Sequence, residues 1–260
     1  MVEIGKKNYR NQENFNYLLF YLILMTKPQE YTAIFENKEV YNEKFEHYHF
    51  ELKKPHTIEF QAGQFASFVV SEKRLRRSYS ICSDPDIKHG IELLLDMTPN
   101  GVGINYMKSL KFGDEVKFLA PLGNFIITDE QPYQALVLVG TGSGIAPLRS
   151  MVLDQLQNKQ TTRPITLYWG LRHASQLIWQ NEFMELSKTF PNFSFHPTMS
   201  QPEAQWPLCR GRVTDCLAIH DLPANAGYYL CGSRAMIEDS TKVLQTRGVD
   251  PKNIYHEQFA

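Results

Sequence analysis

The segment from Ala135 to Pro147 constrains the fold of this chain more than any other, because an apolar run leads directly into a glycine-rich loop. The run Ala135–Val139 is continuously apolar, which is typical of a strand buried in a parallel sheet. The loop has glycine at 140, 142 and 144, and Pro147 then opens a helical pattern at a position where its missing N–H costs nothing. Strand, loop and helix in this order predict an α/β domain.

The same loop has the properties of an anion site. Glycines let the backbone turn sharply and approach a ligand closely, and the helix that follows offers unpaired N–H groups and the positive end of its dipole. Together they predict a site of diphosphate size, with a tight turn that binds nothing as the alternative. The motif does not name the nucleotide, because Ile145 stands where G-x-G-x-x-G needs glycine and no P-loop Gly-Lys-Ser/Thr follows.

Length, composition and charge limit the class of protein. The 260 residues suffice for two domains, and 43% hydrophobic with 21% charged residues is the balance of a globular protein. A net charge of −1 provides no general attraction for nucleic acid or for an anionic membrane. We therefore expect no nucleic-acid partner.

The cysteines and histidines do not predict a metal site. The four cysteines, at 82, 209, 216 and 231, form no C-x-x-C pair, so neither a zinc site nor an internal iron–sulfur cluster is expected. Free thiols in a reducing cytoplasm are favoured over two disulfides in a chain of this length. His47 and His49 could share one strand face, but two ligands make a poor metal site, and we expect both at the surface.

Residues 1–30 form an N-terminal extension with an apolar run from Phe15 to Met25. The run is too short for a bilayer, which takes roughly 20 residues. Basic residues precede it, as in a signal peptide, but the polar segment 26–30 offers no small-residue cleavage site. We expect an additional helix packed on the neighbouring domain, with peripheral membrane contact through 15–25 as the less favoured alternative.

The rest of the chain divides into two regions with different sequence patterns. Residues 31–128 contain short strand-like segments separated by turn signals, which indicate an antiparallel barrel or sandwich. Residues 129–260 alternate strands and helices, which indicates a parallel sheet with right-handed crossovers. The predicted helices are 103–110 in the first part and 147–158, 176–189, 213–219 and 233–247 in the second.

A second group of polar residues, Arg77-Ser78-Tyr79-Ser80, belongs to the strand expected at 76–81. Arginine suits a phosphate oxygen, tyrosine offers a flat face to an aromatic ring, and serine can hydrogen-bond a ring heteroatom. This set suits a flavin nucleotide. An exposed edge strand with mixed polar residues is equally consistent with it.

Over residues 31–259 the chain resembles the ferredoxin–NADP reductase superfamily of flavoenzymes, in particular bacterial ferredoxin or flavodoxin reductases without an iron–sulfur domain. The resemblance is carried by short motifs in the family's order. They are Gly63-Gln64-Phe65, Arg77–Ser80, Gly101–Met107, Gly113-Asp114, Pro121–Phe125, Gly140–Pro147, Gly170-Leu171-Arg172, Cys231-Gly232-Ser233 and Glu257-Gln258-Phe259.

This resemblance implies a six-stranded antiparallel β-barrel that binds FAD, followed by an α/β parallel-sheet domain that binds NAD(P). Arg77 would contact the FAD diphosphate, Tyr79 would lie against the isoalloxazine, and Ser80 would hydrogen-bond near its reactive nitrogen. Backbone N–H groups at a helix N-terminus would hold the FAD phosphate. The residues implied in FAD binding are Arg77, Ser78, Tyr79, Ser80, Gly101, Val102, Gly103, Ile104, Asn105 and Phe259.

On the nucleotide side, the resemblance implies that Thr141 and its neighbours meet the NAD(P) diphosphate. Cys231 and Glu257 would border the nicotinamide, so that Ser80, Cys231 and Glu257 are the candidate catalytic residues. The residues implied in nucleotide binding are Gly140, Thr141, Gly142, Ser143, Gly144, Pro147, Arg172, Ser200, Arg210, Cys231 and Gly232.

Two departures leave the choice between NADPH and NADH open. NADP-specific members often have Ser-Arg where this chain has Ser200-Gln201. Yet no acidic residue follows the strand at 165–169, where NAD-selective folds hold the ribose. Arg172 and Arg210, together with Arg212, are the phosphate partners that favour NADPH.

The implied function is an FAD-dependent NAD(P)H reductase in the cytoplasm that passes electrons to a separate ferredoxin, flavodoxin or other redox protein. The cluster spacing C-x₄-C-x₂-C is absent from the sequence, so the one-electron partner is expected to be another protein. The alternatives are a flavin or quinone reductase, the reductase component of an oxygenase, and a flavin-binding electron-transfer subunit that is inactive without its partner.

Overall fold

The structure, a computed structural model, describes residues 27–128 and 131–259. The interpretation of residues 15–25 lies outside this part of the chain. The described residues form two six-stranded sheets, the first antiparallel and the second parallel, as the sequence predicts. Within the same residues, no helix combines the length and apolar character that a membrane crossing requires.

The first sheet has the strand order β4-β3-β6-β1-β2-β5, and every pairing is antiparallel. A single bridge between Ile81 and Leu93 joins its two edges, which closes the sheet into a barrel. Aromatic side chains fill the interior, with Phe68 stacked 4.7 Å from Phe118. The strands are β1 (Gln29–Val40), β2 (Phe45–Lys54), β3 (Phe65–Val69), β4 (Arg76–Ser80), β5 (Gly90–Asp96) and β6 (Glu115–Leu122).

Helix α1 (Val102–Ser109) follows β5 and packs on the barrel. Its buried residues Ile104 and Met107 join the barrel core, which fixes the direction of the helix. Its N-terminal end, at Gly101, is exposed beside β4. The barrel core thus positions the end of α1 that can bind an anion.

The second sheet has the order β10-β9-β8-β7-β11-β12, with every pairing parallel. Its central strands are buried on both faces, as their continuous apolar runs predict. The strands are β7 (Ala135–Thr141), β8 (Ile165–Leu171), β9 (Phe193–Met199), β10 (Cys209–Arg210), β11 (Ala226–Ser233) and β12 (Ile254–Phe259). The helices are α2 (Ile145–Leu153), α3 (Gln180–Thr189), α4 (Val213–Ile219) and α5 (Arg234–Thr246).

Helix boundaries differ from the sequence expectation near the glycine loop. A 3₁₀ turn, Gly142–Gly144, comes first, and α2 begins at Ile145, two residues before Pro147. Pro147 is still tolerated, because the N–H groups of the first helical turn have no partner within the helix. The expected helix at 147–158 stops at Leu153 and continues as a π-helical turn, Asp154–Asn158.

Arg149 of α2 joins the parallel-sheet part to the barrel. Its guanidinium donates to the carbonyl of Cys82 at 2.8 Å and to the carboxylate of Glu92 at 3.1 Å, both on the barrel side. It also pairs with Glu182 of α3 at 2.9 Å and lies 4.6 Å from the ring centre of Trp179. Burial by itself would raise the pKa of Glu92, but the hydrogen bond with His47 and the charge of Arg149 lower it to about 2.

The surface position expected for His47 is wrong. Its side chain is only 4% exposed, because this face of β2 packs against Trp179, whose ring lies 5.4 Å away. Tyr41 contacts both His47 and Trp179, and its hydroxyl lies 3.3 Å from Nδ1 of His47. His49 is half-buried beside it. Trp179 from the other half of the molecule covers His47, which single-strand periodicity cannot show.

Candidate functional site

The candidate site lies at the carboxyl ends of three parallel strands, where α/β sheets bind their ligands. In the sheet register, Cys231 of β11 stands next to Gly140 of β7 on one side and Glu257 of β12 on the other. Three motifs that are distant in sequence are therefore neighbours across the sheet. The barrel strand β4 approaches the same edge from the opposite side.

Ser80 and Glu257 make the polar contact between the two halves at this edge. The hydroxyl of Ser80, the last residue of β4, donates to Oε1 of Glu257 over 2.9 Å. Burial raises the pKa of Glu257, and the Ser80 hydrogen bond opposes that shift. At the wall of the site, Ser80 is thus a hydrogen-bond donor, and Glu257 is an acceptor whose charge depends on pH.

Cys231 is fully buried behind this wall. Burial raises the pKa of its thiol, and the nearby charge of Glu257 acts in the same direction. The thiol is therefore protonated at neutral pH and is no nucleophile. The position thus places a small, neutral side chain beneath the glycine loop.

Gly144 shows how tightly the glycine loop passes over Cys231. A Cβ built at Gly144 would overlap the carbonyl oxygen of Cys231 and come within 2.6 Å of its carbonyl carbon. Both are backbone atoms that cannot rotate away. This close approach explains why the position needs glycine.

A cavity of about 620 Å³ opens between β4, α1 and the end of β12. Gly103 of α1 lies directly on β4, since a Cβ there would overlap the hydroxyl of Tyr79 and lie 2.8 Å from Cγ of Arg77. Burial raises the pKa of Tyr79 to about 12, so its hydroxyl stays protonated. The predicted residues that line this cavity include Arg77, Ser78, Tyr79, Ser80, Gly101, Gly103, Ile104, Glu257 and Phe259.

These residues fit a flavin nucleotide. The N-terminus of α1 has no side-chain cap, so its first N–H groups are available to a phosphate. Arg77 lines the same cavity, where its exposed guanidinium donates to the carbonyl of Arg76 at 2.8 Å, and the ring of Tyr79 provides an aromatic surface. The N–H of Asn105 is an exception, because it donates to the carbonyl of Gly101 at 3.0 Å within the helix.

A second cavity, of about 690 Å³, extends from the first over the glycine loop. Thr141 precedes the 3₁₀ turn without a side-chain cap, and Trp169 fixes the turn by donating to the Gly142 carbonyl at 2.9 Å. This leaves the N–H groups of the turn to a ligand phosphate. The two cavities share the wall residues Asp96, Pro99, Ser143 and Phe259, so they meet at the Phe259 ring.

The outer end of the second cavity is lined by Arg172, Ser200 and Arg212. Arg210 is not brought there. Its guanidinium donates to the carbonyls of Ala204 at 2.7 Å and Trp206 at 2.8 Å, and so ties the preceding loop together. Of Arg210 and Arg212, the structure places only Arg212 at this end, next to Arg172.

The remaining predicted residues lie beside the cavities or behind their walls. Gly140, Gly144 and Cys231 form the backing of the loop, and Pro147 is buried in the first turn of α2. Val102 is on the exposed side of α1. Sequence reasoning missed Lys44 and Asp96, an ion pair of 3.2 Å that lines the second cavity from the barrel. Neither belongs to a motif, so no local signal could have found them.

Comparison with known proteins agrees with this geometry. The family model described as an oxidoreductase FAD-binding domain matches residues 32–127, and the oxidoreductase NAD-binding domain matches residues 138–242. This chain belongs to the ferredoxin reductase-like family of FAD- and NAD-binding oxidoreductases.

Three relatives illustrate the match. The chain is 32% identical over 209 residues to the reductase subunit of an aromatic O-demethylase from an Amycolatopsis species, covering 78% of this chain and 61% of that protein. It is 30% identical over 230 residues to one subunit of the Na⁺-translocating NADH-quinone reductase of Neisseria meningitidis, covering 82% and 55%. A solved Amycolatopsis cytochrome P450 reductase has a TM-score of 0.82 at 29% identity, with 90% of this chain and 71% of that one covered. The chain thus spans somewhat more than half the length of the curated relatives it matches.

Proposed function

We propose that this chain is an NAD(P)H-dependent flavoprotein reductase that oxidises a nicotinamide nucleotide, reduces FAD and passes the electrons to a separate redox partner. The observation that carries the proposal is the meeting of the two cavities at Phe259, beside the Ser80–Glu257 pair. Hydride transfer needs two ring systems in contact, at roughly 3–3.5 Å between the reacting atoms. Phe259 would have to yield its place to the nicotinamide for this contact to form.

When bound, FAD supplies the conversion between two-electron and one-electron chemistry. The chain itself provides binding and orientation. Arg77 and the N-terminus of α1 hold the diphosphate of the flavin nucleotide, and Tyr79 supports its ring. Ser80, whose hydroxyl is oriented by Glu257, presents a hydrogen-bonding group at the ring edge.

The nucleotide side is built mainly from backbone groups of the glycine loop. Thr141 and the turn after it bind the diphosphate through backbone N–H groups. Cys231 is fully buried and would act through the backbone that it holds at the end of β11, whereas Glu257 would border the nicotinamide from the neighbouring strand. The candidate catalytic residues thus act by position and hydrogen bonding.

NADPH is the nucleotide we propose, on the support of Arg172 and Arg212 at the outer end of the cavity. A 2′-phosphate needs positive charge and hydrogen-bond donors, whereas a ribose hydroxyl is better served by a carboxylate. The carboxylate of Asp215 also lies there, but it accepts the backbone N–H of Arg212 at 2.7 Å. That hydrogen bond uses one oxygen of Asp215 and holds the carboxylate against the backbone at the start of α4.

The partner we propose is a ferredoxin, a flavodoxin or the oxygenase component of a multi-component enzyme. The Amycolatopsis relative named as a reductase subunit of an O-demethylase supports the oxygenase variant. We place the division between the flavin and nucleotide domains at residues 128 and 129, after an extension of residues 1–30. We also propose a cytoplasmic location, which the four free thiols support.

Anaerobic rapid mixing of the purified protein tests the proposal. We expect a yellow protein whose flavin absorbance bleaches when NADPH is added, and faster than with NADH. Purification without flavin, combined with turnover of added flavin, would replace the proposal by a flavin reductase. Bound flavin that neither nucleotide reduces would leave only an electron-transfer subunit.

A further inference from the structure

A cluster of two thiols and an imidazole lies in the parallel-sheet half, and the proposed reductase reaction does not use it. Cys209 belongs to β10, Cys216 to α4, and His220 caps the C-terminus of α4. The three candidate ligand atoms lie within 4.8 Å of one another, and Sγ of Cys216 is 3.6 Å from Nδ1 of His220. Cys216 is fully buried, whereas the other two are half-buried.

We propose that Cys209, Cys216 and His220 bind a thiophilic divalent cation, with zinc as the expected ion. Thiolate and imidazole are the donors that zinc prefers in tetrahedral sites. Zn–S and Zn–N bonds of about 2.3 and 2.05 Å at a tetrahedral angle place the two donors about 3.6 Å apart. The separation between Cys216 and His220 matches that value.

The local structure supports this donor arrangement. Cys216 lies in α4 and His220 is the C-cap of that helix four residues later, and their side chains meet at the helix end. Cys209 comes from the strand that pairs with β9 and reaches the same point from the sheet. Ligands from a strand and a helix would fix the two elements to each other.

The structure gathers three donors at this point. Cys209, Cys216 and His220 are the described residues whose candidate ligand atoms here all lie within 4.8 Å of one another. His196 of β9 lies next to His220, with ring centres 4.9 Å apart, but does not belong to this group. The proposed site therefore has three protein ligands and leaves the fourth tetrahedral position to solvent.

The position of the cluster gives the ion a consequence. Cys209 and Cys216 bracket Gly211 and Arg212, which line the outer end of the nucleotide cavity. An ion that ties β10 to α4 would hold this segment in one conformation. This consequence rests on the proposed function, whereas the presence of the ion does not.

The test is the metal content of the full-length, tag-free protein, purified without chelator and dialysed against buffer with micromolar zinc. Elemental analysis is expected to find close to one zinc per chain in wild type, and less than a tenth of that in Cys209→Ser and in His220→Ala. His89→Ala is the matched control, because among the described residues His89 belongs to no group of candidate ligands, and it should retain zinc. Two independent ligand variants keep the test valid if one of them fails to fold.

Three outcomes would overturn the proposal. The first is wild-type protein that holds no zinc after dialysis, and the second is zinc retained equally in the ligand variants. The third is a Cys209–Cys216 disulfide, seen by mass spectrometry in protein kept under reducing conditions. Flavin content and NADPH oxidation are measured on the same samples, so failure of the reductase proposal is distinguishable from failure of the metal site.

Discussion

The two ends of the combined cavity are built in different ways. At the inner end, Ser80, Cys231 and Glu257 lie on strands, and the sheet register and buried packing fix their positions. At the outer end, Arg172 and Arg212 stand on exposed loops and helix starts, and the Arg212 side chain is 75% exposed. The inner end depends on backbone geometry, and the outer end depends on the directions of long side chains.

This difference predicts which end of the cavity tolerates substitutions. Backbone atoms in a sheet cannot move to relieve an overlap, so a small change at the inner end should cost much stability. Removing an exposed arginine should cost little free energy, because water screens its charge. Under the proposed function, the inner end would set the reaction geometry, and the outer end would adjust the preference for one nucleotide.

The largest effect is expected from Gly144→Ala at the inner end. The added Cβ would collide with the carbonyl group of Cys231, and the loop or the strand must shift to make room. We expect unfolding in urea to show a loss of about 3 kcal/mol. Gly101→Ala is the control, because a Cβ there meets nothing within 4 Å. Equal stability of the two variants would show that the loop does not pass as closely as described.

Arg149→Met is expected to have the second-largest effect, because it removes one of the contacts that hold the two halves together. Glu92 and Glu182 would lose their shared cation, at an expected cost of about 2–3 kcal/mol at neutral pH. Arg149 lowers the pKa of Glu92, so the cost is present above the ordinary glutamate pKa of about 4.3 and shrinks as the pH falls toward about 2.

The control for Arg149 is Arg234→Met, which removes an exposed pair with Glu238. Its effect on stability should be much smaller than that of Arg149→Met, because water screens an exposed ion pair. Urea unfolding of both variants across this pH range gives the comparison. A cost for Arg149→Met that does not depend on pH would rule out the assigned coupling to Glu92.

Glu257→Gln is expected to flatten the pH dependence of stability between the ordinary glutamate pKa and the raised pKa of Glu257. Burial raises the pKa of Glu257, so its contribution is present below the ordinary glutamate pKa and is lost as the pH rises through the raised value. Glutamine keeps an acceptor for Ser80 but does not ionise, so this decline should disappear. Urea unfolding at a series of pH values measures it. The exposed Glu51→Gln serves as the control, and a Glu257→Gln variant that declines like wild type would contradict the prediction.

The smallest effect is expected at the outer end. Arg212→Ala should lower the ratio of NADPH to NADH efficiency about threefold, or about 0.65 kcal/mol, because an exposed cation contributes little to binding a phosphate. Arg210→Ala should leave this ratio unchanged, since its guanidinium is held by loop carbonyls. Steady-state kinetics with both nucleotides decides between them. A larger change in the Arg210 variant would show that its side chain turns toward the cavity when nucleotide binds.

Sequence reasoning worked best where function depends on the backbone. The glycine loop and the polar strand at 76–80 are local patterns, and both sheets follow from the periodicity of their strands. It could not distinguish Arg210 from Arg212, two residues apart in the chain, because spacing does not reveal which side chain faces the cavity. Strand β12 also escaped, since it is a partly exposed edge with no continuous apolar run.

By itself, the sequence determined the order of the two sheets and the glycine and polar motifs at their edges, because strand periodicity and turn chemistry are local properties. Tertiary structure decided the rest. It buried His47 under Trp179, set Glu257 against Ser80, and gathered Cys209, Cys216 and His220 into one cluster. These contacts join segments that are distant in the chain or lie on different elements, and only the packing of the sheets and helices sets their distances and surroundings.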